Sequence, residues 1–99
     1  EILPRAASAL TTIIEKGVSL GANSTILAGT KLGRYSMTGI GSVITRDLKQ
    51  HGLYFGNPAK QRGWIDEFGE KLYYEEDKKI WTNSNNIYYK ETDIGLVKL

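Results

Sequence analysis

The sequence predicts an all-β chain, a parallel β-helix of about two coils followed by a small β-hairpin tail. Three observations predict it. Ile14, Leu20, Ile26, Leu32, Thr38 and Ile44 recur every six residues, and four positions after each stands Val18, Ser24, Thr30, Ser36, Ser42 or Leu48. A period of six does not fit an α-helix, whose apolar face recurs every 3.6 residues, but it does fit short strands joined by tight turns. Gly17, Gly21, Gly29, Gly33, Gly39 and Gly41 fall at or near the implied bends, where a positive φ or a close backbone approach is needed. Two columns in one register are the signature of a repeat architecture.

Three hexads close one triangular rung, so residues three hexads apart lie on adjacent rungs. The two coils are Ile14–Lys31 and Leu32–Lys49. The large aliphatic of each hexad points into the prism, and the small residue four positions on fits the corner. Rungs stack through backbone hydrogen bonds and bury a continuous aliphatic column. Gly21-Ala22-Asn23 is thereby placed under Gly39-Ile40-Gly41. Repeat arrays usually need at least ~3 units for stability. Coils before Glu1, neighbouring subunits, or both are therefore expected to complete the block.

In chain order, residues 1–13 form a lead-in from upstream coils, with β-branched Leu10–Ile14 as a candidate strand. Glu15-Lys16-Gly17 is a turn that opens the repeat. The β-helix occupies 14–49. Segment 50–65 reads as a return strand, Leu53–Phe55, ending in an Asn-Pro turn. Trp64, Ile65 and Phe68 are expected to cover the open end of the last coil, which would otherwise expose strand edges. The tail, 66–99, is expected to place strands at Lys71–Tyr74, Lys79–Trp81 and Ile87–Lys90, with turns at Glu76-Asp77 and Asn83–Asn86.

The composition excludes several function classes. At 99 residues the chain suggests one small domain, for which oligomerisation is a fair prior. It holds no Cys, so disulfides and thiolate metal sites are ruled out. A formal charge of +2, spread over scattered Lys and Arg, lacks the footprint of a nucleic-acid binder. No apolar run approaches the ~20 residues of a membrane span. The opening EILPRAAS has neither an initiator Met nor a signal peptide's apolar core, and reads as a cut.

The hexads resemble the left-handed parallel β-helix of the hexapeptide-repeat acyltransferases, and the left hand is implied by that resemblance alone. Residues 11–72 are similar to the C-terminal part of the nucleotide-sugar 3-N-acetyltransferases. The match is carried by VSLGANSTILAGTKLGRYSMTGIGSVITRDL, then by GNPAKQRGW at 56–64 and FGEKL at 68–72. The resemblance implies an acetyl-CoA-dependent N-acetyltransferase acting on an amino nucleotide sugar in surface-polysaccharide synthesis. It also implies a homotrimer, a cytoplasmic location and no metal cofactor. Two positions depart from the family pattern: Thr38 replaces an aliphatic, and Ile40 interrupts what is usually Gly-Ala-Gly. Some relatives carry a zinc ribbon in the tail. Its ligand positions correspond to Asp66-x-Phe68-Gly69 and Asn83-x-x-Asn86, which lack the cysteines, since Phe cannot bind a metal and Asn is a poor zinc ligand. The tail is either a metal-free remnant held by Tyr73, Tyr74, Trp81, Tyr88 and Tyr89, or an unrelated polar segment.

In the family, the pantetheine arm of coenzyme A runs along the prism in a cleft between subunits of a trimer. On that resemblance Gly21, Ala22, Gly39, Ile40 and Gly41 are candidate cofactor contacts, although these glycines are also needed simply to make corners. Arg46, Lys49, Lys60 and Arg62 are candidates for the phosphates of coenzyme A, with Arg46 and Lys60 favoured; the alternative is a solvated basic face. His51 is the sole imidazole. It reads as an exposed turn residue and not as a general base, because relatives take that group from an earlier loop. The acceptor pocket and an Asn near the reacting amine also come from earlier coils, so Asn23 is not assigned that role, and no catalytic residue is assigned. A non-catalytic β-helical trimerisation module is the alternative from another class. A zinc hydratase on the same fold would need several His ligands.

Overall fold

The computed structural model describes residues 10–99. The first nine residues of the lead-in lie outside the described residues. The architecture is the left-handed parallel β-helix followed by an antiparallel tail, with no helix among the described residues. Strands β1 (Ile13–Ile14), β2 (Thr25–Ile26), β3 (Lys31–Leu32), β4 (Met37–Thr38) and β5 (Val43–Ile44) are each two residues long. Each includes one residue of the aliphatic column. Ile14 pairs with Leu32, Ser19 with Met37 and Ile26 with Ile44, all in parallel. Every pair is three hexads apart, as the spacing predicts.

The corners share one conformation. Gly17, Asn23, Gly29, Tyr35 and Gly41 have φ of 77°, 59°, 88°, 57° and 69°. Each hexad therefore bends through one left-handed residue, which favours Gly and admits Asn most readily among the others. Gly21, Gly33 and Gly39 are needed for a different reason. A Cβ at Gly39 would lie 2.8 Å from Phe55 Cβ, and one at Gly33 2.7 Å from the Gln50 nitrogen. Small residues are required there by close stacking, not by backbone conformation.

Burial follows the columns in the second coil. Leu32, Ile44, Ser36 and Ser42 are buried almost completely, and Leu48, Tyr54 and Ala59 complete the core they begin. Burying each large side chain contributes about 1.5–3 kcal/mol. In the first coil Ile14 and Leu20 remain 53% and 44% exposed, so this end of the prism presents an apolar face among the described residues. Thr38 is buried without being wasted. Its hydroxyl accepts the Gly21 N–H at 3.0 Å and lies 3.1 Å from Ser24 Oγ, so a polar group stands where the corner backbone needs an acceptor.

Past Ile44 the period shortens. Leu48 pairs with Leu32, and Leu53 and Tyr54 pair with Met37 and Thr38. The corner lost two residues, and Asp47 Oδ1 takes the Lys31 N–H at 2.8 Å. Strand β6 (Gly52–Gly56) thus stays on the prism as part of a third rung, whereas the family resemblance implies a segment that leaves the prism and packs beside it. Parallel bonding to β4 covers the edge that β4 would otherwise expose. After the Asn57-Pro58 turn, β7 (Ala59–Trp64) returns antiparallel to β6. Tyr54 and Ala59 close the prism, not the expected Trp64, Ile65 and Phe68. Trp64 is buried in the tail core, Ile65 is buried at the junction, and Phe68 is 81% exposed.

The tail is broader than a hairpin. Strands β8 (Tyr73–Glu75), β9 (Ile80–Thr82), β10 (Tyr88–Thr92) and β11 (Gly95–Lys98) form a meander in the order β11-β10-β9-β8. The first three lie within one or two residues of the expected strands. The fourth was masked in the sequence by the charged run before it. Trp64, Leu72, Tyr89 and Leu96 form its core, with Trp81 and Ile87 against it. Of the expected aromatic set, Tyr73 and Tyr74 stay largely exposed.

Two polar knuckles hold the tail. Buried Asp66 accepts the N–H groups of Phe68 and Glu70, at 2.9 and 2.8 Å. Buried Asn83 Oδ1 accepts those of Asn85 and Ile87, at 2.9 and 3.0 Å. Asn83 Nδ2 then donates to Asp66 Oδ2 at 3.0 Å and clasps the knuckles together. Asp66→Ala strands three donors, each of which costs about 1–3 kcal/mol when buried without a partner. We expect a loss of about 2–4 kcal/mol in urea unfolding followed by tryptophan fluorescence. An unchanged midpoint would show that the clasp carries no load.

Candidate functional site

The corner built from 21–23 and 39–41 is stacked as the spacing implies. The Gly41 N–H donates to Ala22 O at 2.8 Å, and a Cβ on Gly21 would overlap the Gly39 carbonyl carbon. Hydroxyl groups hold the carbonyls from inside: Ser24 Oγ donates to Gly21 O at 2.8 Å and Ser42 Oγ to Gly39 O at 2.7 Å. Gly39 N–H donates to Tyr54 O at 2.9 Å. Ile40 differs. Its side chain is 81% exposed, and its own N–H and C=O have no hydrogen-bond partner among the described residues. The corner therefore leaves one backbone N–H and one C=O unpaired beside one apolar side chain.

Arg46 and Lys60 come together elsewhere. They line a depression of about 510 Å³ with Lys49, Tyr54 and Gln61, between the end of β5 and the β6–β7 hairpin. Asp47 lines it too, so three cations face one carboxylate, and the net positive lining suits an anion. Tyr54 sits at its base with its hydroxyl accepting the Lys49 N–H at 3.0 Å. Burial pushes that phenol up, and the Lys49 N–H only partly offsets it, so it stays a neutral hydroxyl near pH 7. Arg62 does not join them. It is the extra residue at the β6–β7 register shift, and its guanidinium lies 5.2 Å from the centre of the Phe55 ring.

The structure thus divides the candidate residues into two groups. Gly21, Ala22, Gly39, Ile40 and Gly41 share one corner, while Arg46 and Lys60 share a depression that none of those five lines. Tyr54 and Gln61 were missed in the sequence because only the hairpin's return brings them to Arg46. The signal for the inner hydroxyl group was Thr38, the one break in the aliphatic column. A larger depression of about 670 Å³ lies between coil and tail, lined by Glu15, Asp47 and Asp93 with Lys31, Arg34 and Lys49. Its mixed charge gives it no preference for an anion. No three His, Cys, Asp or Glu side chains gather in a metal-holding group among the described residues.

His51 is buried, not exposed as the turn position suggested. It lies at the junction of coil and tail, against Tyr35 and Tyr89. It has no place at the stacked glycine corner.

No family model matches the chain. Over 69 residues it is 44% identical to the dTDP-3-amino-3,6-dideoxy-α-D-galactopyranose 3-N-acetyltransferase of Aneurinibacillus thermoaerophilus, a match covering 70% of this chain and 36% of that protein. Over 80 residues it is 35% identical to serine acetyltransferase 4 of Arabidopsis thaliana, covering 80% of this chain and 22% of that one. Among solved structures it superposes on a hexapeptide-repeat-containing acetyltransferase of Vibrio cholerae O1 biovar eltor, solved with acetyl coenzyme A. That likeness has a TM-score of 0.53 and 32% identity, over 56% of this chain and 31% of the other. The chain belongs to the hexapeptide-repeat acetyltransferase family. It spans about a third, or less, of the length of these relatives. Hexapeptide-repeat acetyltransferases with different acceptors thus share this region, so the repeat is common to them and the acceptor is not fixed by it.

Substitutions separate the two features of the corner. Ile40→Ala removes an exposed side chain and should leave the melting temperature within a degree or two. Gly39→Val drives a branched side chain into Phe55 and should cost about 1–3 kcal/mol from overpacking. Thermal melts of both variants check this, and equal melting temperatures would contradict the stacking described.

Proposed function

We propose that this chain is the cofactor-side part of an acetyl-CoA-dependent N-acetyltransferase acting on an amino nucleotide sugar in surface-polysaccharide synthesis. The observation that carries the reading is the 44% identity over 69 residues to an amino-sugar nucleotide 3-N-acetyltransferase. The net positive depression and the unpaired backbone groups of Ile40 add to it. On this reading Gly21, Ala22, Gly39, Ile40 and Gly41 flank the pantetheine arm, and the unpaired C=O of Ile40 bonds an amide of that arm. Arg46 and Lys60 take phosphates of the nucleotide end.

Acetyl transfer to an amine also needs donors for the developing oxyanion and a group to take the ammonium proton. Neither is assigned to this chain, whose lone imidazole lies away from the corner. We place them, and the nucleotide-sugar pocket, in the rest of a longer cytoplasmic protein. A homotrimer would bring a neighbouring subunit's wall against the corner. The second reading is a non-catalytic β-helical trimerisation module. It is favoured by the same lack of an acid–base side chain at the corner.

Titration calorimetry with acetyl-CoA separates the readings. We expect measurable micromolar binding, weakened about tenfold by Arg46→Ala or Lys60→Ala, since one ionic hydrogen bond contributes about 1.5–3 kcal/mol. The full-length protein should acetylate a nucleotide-linked 3-amino sugar. A trimer without affinity for acetyl-CoA would favour the structural module, and no acetyl transfer by the full-length protein would sink the enzymatic reading.

A further inference from the structure

One buried polar residue belongs to neither the prism core nor the two knuckles of the tail. His51 is 4% exposed and adopts φ of 64°. Its N–H donates to Arg34 O at 2.8 Å, which ties it to the β-helix. Its carbonyl accepts the Ile65 N–H at 2.9 Å, and its Nδ1 donates to Ile65 O at 2.8 Å, which ties it to the start of the tail. The ring lies between two others. It stacks on Tyr35 at 5.2 Å with planes 26° apart, and meets Tyr89 at 5.2 Å and 59°. Gly17 makes this possible, because any Cβ there would overlap the Tyr35 ring. One corner of the prism thus continues as an aromatic stack from Gly17 through Tyr35 and His51 into the tail core.

We infer that His51 is a proton-sensitive clasp between the β-helix and the tail sheet, closed when its imidazole is neutral and loosened when it is protonated. The geometry fixes the tautomer of the neutral ring. Ile65 O can only accept, so Nδ1 carries the proton, and Nε2 has no protein partner among the described residues. A second proton, on Nε2, would place a charge on a largely buried ring held between two aromatic rings. The charged groups acting on the ring are Asp66 and Glu67 on the segment after β7 and Lys98 on β11; from the coil, Arg34 meets His51 through its backbone carbonyl. The rings of Tyr35 and Tyr89 face it, and burial with the Glu67 hydrogen bond pushes the Tyr89 phenol up, so that phenol stays neutral. Burial holds the imidazole below its ordinary range, outweighing the raising effects of the Ile65 carbonyl, Glu67 and Asp66; Lys98 acts with burial. The sign follows. Where the unfolded ring is protonated and the folded ring resists it, stability falls as pH drops below about 6.5. Each unit of lowering corresponds to a tenfold shift toward the open form.

Glu67 does not blur this window. Burial raises its carboxyl, but hydrogen bonds from Tyr89 and Lys98 outweigh that and hold it below the usual carboxylate range. Its contribution is present above the unfolded carboxylate pKa and is lost only at a lower pH than that of His51.

The chain suits a direct test. It holds one His and two Trp, and both tryptophans lie in or against the tail core. The imidazole can be titrated by NMR without assignment ambiguity, and tryptophan emission reports the tail alone. We expect a ring midpoint below 6.5 and a red shift of emission through the same range, with the circular dichroism of the β-helix retained. His51→Asn keeps an N–H donor and tolerates the left-handed backbone, and should remove the shift between pH 7.5 and 5. A ring midpoint at or above 6.5, a pH-independent emission, or an unchanged shift in His51→Asn would each overturn the clasp. If that variant fails to fold, the titration of the natural chain still decides.

Discussion

The hexad ladder works only if every corner turns through the same angle, and one left-handed residue per six supplies that turn. With a uniform bend, the residue three hexads on falls directly above, and short strands bond along the axis. Two residues per strand would be negligible alone; stacked, they become a continuous sheet on each face. Gly meets the backbone demand at three of the five corners described, and Asn23 at a fourth. Tyr35 is the costly exception. A left-handed residue with a Cβ is disfavoured by roughly 1–2 kcal/mol. Stacking on His51, over the space that Gly17 leaves, offsets it.

The same ladder decides where it stops. Shortening one corner by two residues shifts the register, and Asp47 takes over a backbone bond that the missing residues would have made. From there β6 continues the prism while β7 turns back. Tyr54, standing on Thr38, closes the aliphatic column. The tail has its own core, built on Trp64, Leu72, Tyr89 and Leu96. Asp66 and Asn83 give it order from buried polar bonds, a contribution that depends on every donor being matched.

The candidate features divide along the same line. The stacked glycine corner is a property of the repeat and was legible from spacing alone. Arg46 and Lys60 were separate candidates in the sequence, and only the fold sets them in one depression. Tyr54 reaches it because β6 stacks on β4, and Gln61 because β7 returns along β6. Arg62, two residues from Lys60, is turned aside by a register shift that nothing in the sequence announces.

The sequence by itself determined the six-residue period, the rung, the inward column and the stacked corner, because these follow from local backbone geometry repeated in register. Tertiary structure decided the rest. Trp64 joined the tail and Phe68 stayed outside because the third rung left the prism already closed. His51 read as an exposed turn residue because it follows the last hexad in a turn. It became buried because β10 brings Tyr89 against it from 38 residues away, a contact that no local pattern encodes.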